Sequence, residues 1–142
     1  MLLIRPLTDD DVGGLLPLLE ELGYPSTDDE ILSRLARLTP DHHTLVAEVA
    51  GELAGFIGLV TMPVYEHSAP IGYILAFSIG AAHQRQGVGR ALLEAAEKHF
   101  LSRGVHDIRV NSGLQREGAH RFYEATGYTK TGFRFRKVPG ES

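Results

Sequence analysis

The sequence predicts an α/β fold of the α+β type: a mixed, mostly antiparallel sheet of six to seven strands flanked by about four helices. Three observations predict it. The apolar positions alternate between a period of two and a period near 3.6, in the order strand, two helices, three strands, helix, strand, helix and one or two final strands. Glycine and proline, 16 and 7 residues, punctuate those segments at a density ordinary for a folded chain. With 142 residues, 43% of them hydrophobic, the chain suffices for one core and is short for two, so residues 1–142 are read as one domain.

Leu2 to Leu7 reads as the first strand. Thr8 then suits an N-cap, and Asp9, Asp10 and Asp11 suit the positive end of a helix dipole. That helix lines up Val12, Leu15, Leu16, Leu19 and Leu22 and stops at Gly23, with Pro17 expected to kink or split it. Thr27 and Glu30 form a capping-box pattern for a second helix reaching about Leu38. Thr44 to Val49 and Leu53 to Met62 read as a hairpin turning at Ala50-Gly51. Ile71 to Ile79 is apolar on both faces, hence a central strand. Gly87 to Ser102 carries the strongest helical pattern, with Arg103-Gly104 as its stop. Asp107 to Asn111 reads as a short strand, Glu117 to Thr126 as a helix ended by Gly127, and Tyr128 to Val138 as one or two strands.

Composition excludes several function classes. There are 18 acidic residues against 14 Lys and Arg, and a net charge of −4 argues against nucleic acid as a partner. Without cysteine there is no disulfide, thiolate metal site or cysteine acyl-enzyme. The longest stretch free of charge and histidine, Ser68 to Ala82, is interrupted by Pro70, Gly72 and Gly80 and is shorter than the about 20 apolar residues a spanning helix needs. No membrane partner and a cytoplasmic location are expected. Glu117 and His120 have helical ligand spacing, but the pattern occurs once, so no metal is expected.

The segment Gln84-Arg85-Gln86-Gly87-Val88-Gly89-Arg90-Ala91 follows the central strand and opens the strongest helix. Glycines at i and i+2 let the backbone approach a ligand, and the first-turn N–H groups attract phosphate. The plain alternative is a turn with no ligand. A Walker loop is excluded because Arg90-Ala91, not Lys-Ser/Thr, follows Gly89, and a dinucleotide fingerprint because Leu92 stands where a third glycine is needed.

Gln84-x-x-Gly87-x-Gly89 resembles the acyl-CoA signature of the GCN5-related N-acetyltransferase (GNAT) family. Ala119-His120-Arg121-Phe122-Tyr123-Glu124-Ala125-Thr126-Gly127-Tyr128 is similar to the family's Ala-x-x-Phe-Tyr segment, and Leu22-Gly23-Tyr24-Pro25 also recurs there. The resemblance implies a GNAT-like domain that transfers acetyl from acetyl-CoA directly to a primary amine in a ternary complex. It implies that the backbone of Gln84, Arg85, Gln86, Gly87, Val88, Gly89, Arg90 and Ala91 holds the pyrophosphate. It also implies that the pantetheine arm runs along Phe77, Ser78 and Ile79, and that Tyr123 protonates the departing thiolate. Family habit points to a homodimer and to a small-molecule or protein amine as acceptor.

Two departures stand out. Tyr73-Ile74-Leu75-Ala76-Phe77 lacks the carboxylate that many members carry there as base, and Arg116 replaces an asparagine. The amine proton then leaves through a water on the central strand, a side chain of Glu66-His67, or bulk solvent, the water being the expected route. A non-catalytic acyl-CoA-binding or regulatory domain is the competing reading.

Overall fold

The computed structural model describes residues 1–111 and 117–140; Arg116 and the side chain of Glu117 lie outside the described residues. Its elements run β1 (Leu2–Pro6), a 3-10 turn (Asp9–Asp11), α1 (Val12–Leu22), α2 (Asp28–Ala36), β2 (His42–Val49), β3 (Glu52–Met62), β4 (Ile71–Ile79), a second 3-10 turn (Ala81–His83), α3 (Val88–Ser102), β5 (Ile108–Val110) and α4 (Glu117–Ala125). Contacts divide them into two units, Met1–Val110 and Asn111–Ser142.

In the first unit the strands lie in the order β1-β2-β3-β4-β5. β1 to β4 pair antiparallel, and β5 joins β4 in parallel after the α3 crossover. The predicted hairpin is present: Val49 faces Glu52, and Ala50 and Gly51 take φ of 51° and 82°, the left-handed pair that matches strand twist. α1 and α2 cover one sheet face, burying Val12, Leu15, Leu18 and Ile31 against Val46 and Phe56. α3 covers the other. A Cβ at Gly72 would stand 2.5 Å from the Phe100 ring, so glycine is what lets helix and strand approach.

Local signals explain the helix ends. Thr27 N–H donates to Glu30 Oε1 at 2.9 Å and Glu30 N–H to Thr27 Oγ1 at 3.2 Å, the predicted capping box. Gly23, at φ 104°, ends α1 as expected. Pro17 does not split it: α1 is one helix from Val12 to Leu22. Leu15 and Leu18, buried on either side of the proline, each stabilise the helix by about 1.5–3 kcal/mol, which offsets a proline cost of about 3 kcal/mol.

The strand count is corrected. The sheet has five strands among the described residues, not six to seven, because residues 128–138 form none. Phe133-Arg134-Phe135-Arg136 does alternate, but alternation only decides which side chains share a face. A strand also needs a paired neighbour and a buried face, and Phe133 and Phe135 remain 75% and 92% exposed. In the second unit, α4 ends where predicted, with Gly127 at φ 98° and Tyr128 N–H donating to Tyr123 O at 2.9 Å.

Candidate functional site

β4 departs from regular pairing near its middle. Among the described residues the parallel ladder to β5 covers Gly72, Tyr73 and Ile74. On the opposite edge the register against β3 shifts between Gly58, which faces Ala76, and Leu59, which faces Ile74. Leu75 is therefore the extra residue of a β-bulge, 59% exposed within a central strand. Sequence reading missed the bulge because β4 is apolar on both faces and its alternation hides an added residue.

Beyond β4 the chain is clamped before it enters α3. Gly80 N–H donates to Ala54 O at 2.8 Å, and Ala81 N–H to the Glu21 carboxylate at 3.1 Å. Gln84, the first residue of the signature, donates its Nε2 back to Ile79 O at 3.0 Å. Arg85 and Gly87 then take φ of 64° and 78°. A Cβ at Gly87 would meet nothing within 4 Å, so glycine is needed there for its backbone angle. Val88, 2% exposed, plugs the start of α3 into the core.

These angles leave an open helix end. Gly87 is the N-cap, no side chain caps it, and no acid stands in the first turn. The Ala91 N–H is taken by Gly87 O at 3.1 Å. The amides of Val88, Gly89 and Arg90 have no acceptor in the helix itself, and the dipole adds about half a positive charge beside them. Exposed Arg85 and Arg90 reinforce the positive character. Such an end suits an oligo-anion such as pyrophosphate.

Gln84 to Ala91 thus follow Phe77, Ser78 and Ile79 after Gly80 and the second 3-10 turn. Ser78 is turned away: it is buried, its hydroxyl donates to Leu18 O at 3.3 Å, and it is the ladder partner of Phe56 on β3. Phe77 faces Ile57 across the ladder, and Ile79 lies against Gly55. Tyr123 belongs to the second unit. It is half-buried, with ring centroids 5.6 Å from Phe122 and 5.8 Å from Tyr128.

Sequence reading also passed over an ion pair where β4 and β5 run side by side. Arg109, opposite Tyr73, donates to Asp107 at 3.2 Å. The hydrogen bond from Arg109 holds the Asp107 carboxyl below its usual range, and the same bond, with a smaller effect of Tyr73, raises Arg109. A carboxylate held ionised in this way is a poor proton acceptor at neutral pH. Glu66 and His67 are exposed in the β3–β4 connection. Among the described residues no cluster of three or more metal-ligating side chains occurs, and no helix is long and apolar enough to cross a membrane.

Comparisons with known proteins bear on the fold and the family. Residues 15–128 match the model of the acetyltransferase (GNAT) family. The chain is 30% identical over 140 residues to an aminoalkylphosphonate N-acetyltransferase of Salmonella typhimurium, covering 95% of this chain and 90% of the relative. It is 27% identical over 136 residues to an aminoglycoside N(6′)-acetyltransferase of Klebsiella aerogenes, covering 90% of each. A GNAT family acetyltransferase structure from Staphylococcus aureus superposes with a TM-score of 0.85 at 25% identity, over 96% of this chain and 98% of that one.

Proposed function

The chain belongs to the acetyltransferase (GNAT) family and is an acyltransferase of the N-acetyltransferase class; on that premise we propose that it moves an acetyl group from acetyl-CoA directly to a primary amine of a small molecule. The observation that carries the reading is the uncapped α3 end, held at the tip of β4 by the left-handed Arg85 and Gly87.

Bound there, acetyl-CoA supplies an activated acyl carbon as a thioester. The Val88, Gly89 and Arg90 amides grip the pyrophosphate, with Arg85 and Arg90 as counter-charges. The backbone of Phe77 to Ile79 guides the pantetheine arm, and the acyl group lies beside the bulge at Leu75. Tyr123 gives its hydroxyl proton to the departing thiolate. The carboxylate-free Tyr73–Phe77 stretch supports a water as the first proton acceptor, held by backbone carbonyls at the bulge. An alkyl amine with a pKa near 10.4 must lose a proton before it attacks.

The acceptor class rests on the relatives, whose names specify aminoalkylphosphonates and aminoglycosides. The test is free-thiol release from acetyl-CoA with a panel of both classes and of lysine peptides. Saturable release with a small-molecule amine is expected, together with a product heavier by one acetyl group. Release that no amine accelerates contradicts the proposal.

A further inference from the structure

His43 on β2 and His99 on α3 lie face to face, with ring centroids 4.1 Å apart and planes within 7°. Both rings are half-buried. The stack joins the sheet to the last turns of α3, which Phe100 anchors below it with its ring tilted against His99 at 5.9 Å. Leu59 of β3 is the ladder neighbour of His43. The charged groups around the pair are Arg103, one turn beyond His99, and Asp41, which precedes β2 and lies 3.8 Å from Arg103 Nη2. Asp41 is tied to β3 through its carbonyl, which accepts the Thr61 N–H at 3.0 Å.

We propose that the His43–His99 stack is an acid-sensitive latch, holding the C-terminal end of α3 on the sheet while both rings are neutral and releasing it when one takes a proton. A proton on either ring places a cation against the other imidazole and beside Arg103, in a half-buried setting. The Asp41 carboxylate already pairs with Arg103. Burial first, and the neighbouring positive groups second, hold both rings below the ordinary 6.5. In the released end they regain that value, so falling pH favours release from about 6.5 downward. His99 lies about 16 Å along the helix from Val88 at 1.5 Å per residue, so the latch is testable without any cofactor.

The test follows amide hydrogen exchange and the two imidazole Hε1 resonances in the wild-type chain from pH 7.5 to 5.0. Both rings are expected to titrate below 6.5. Corrected for intrinsic exchange, protection of the Arg103, Gly104 and Val105 amides, which close the helix onto Phe100 and Leu101, falls severalfold, while Val46 in the β2–β3 ladder keeps its protection. The double variant His43→Phe, His99→Phe, which can stack but not titrate, loses the pH dependence. Rings that titrate at or above 6.5, flat protection, equal loss at Val46, or unchanged pH dependence in the double variant would each overturn the latch. If the double variant does not fold, the wild-type titration and exchange decide alone.

Discussion

The N-termini of α2 and α3 are both exposed, and they treat the same problem in opposite ways. α2 closes on itself: Thr27 and Glu30 exchange hydrogen bonds, and Asp28, Asp29 and Glu30 fill its first turn with negative charge. α3 begins at a glycine with no side-chain cap, no acid in its first turn, and arginines at positions 85 and 90. A helix end that satisfies its own donors has nothing to offer a ligand. One that leaves them open, on a loop held by left-handed residues, leaves unmatched donors and positive charge that an anion would satisfy. The difference separates a helix start that is complete in itself from the one proposed to bind the cofactor, within a single chain.

The most direct way to break the contrast is to make α3 resemble α2. Arg90 occupies the N3 position that Glu30 occupies in α2, so Arg90→Glu installs a carboxylate among the open amides. Acetyl-CoA affinity is expected to fall by about 100-fold, about 2.7 kcal/mol, as read by calorimetry. Tyr123→Phe sharpens the contrast by separating chemistry from binding: kcat should drop by about 100-fold with acetyl-CoA affinity unchanged. Gly87→Val forces a β-branched residue into φ near 78°; affinity should fall at least about tenfold, about 1.4 kcal/mol, with the circular dichroism spectrum retained.

Changes in α2 should act on stability alone. Thr27→Ala removes one half of the capping box and should cost about 1 kcal/mol in denaturant unfolding, leaving acetyl-CoA binding intact. The smallest effect is on pH dependence. The Thr27 backbone N–H, and then its side chain, hold Glu30 below its ordinary 4.5. The unfolded chain therefore binds that proton more readily, so the stabilisation is complete above 4.5 and is lost as pH falls through the lower folded value. Glu30→Gln should flatten the thermal midpoint across that window by a small but measurable amount.

These two helix ends were both legible in the sequence because each is written in a few adjacent residues. Thr27-x-x-Glu30 is a cap by its own chemistry, and Gln84-x-x-Gly87-x-Gly89 needs only local backbone angles. What sequence did not disclose depends on partners distant in the chain. The Leu75 bulge exists only relative to Gly58 and Leu59, and the burial of Ser78 only relative to Leu18. Pro17 stays helical because Leu15 and Leu18 find a core on both sides. Residues 128–138 carry a strand's alternation without the burial that makes one, so periodicity overstated the sheet. The Asp107–Arg109 pair flanks Ile108 at the start of so short a strand that its spacing gave no signal.

On the proposed function the open end of α3, and not the closed end of α2, receives the pyrophosphate. The most direct test of that placement is an amide-resolved NMR titration of the isotope-labelled protein with acetyl-CoA. Large, saturable shifts are expected at Val88, Gly89 and Arg90, with Asp28, Asp29 and Glu30 unmoved. Saturable binding that leaves Val88 to Arg90 in place would contradict it.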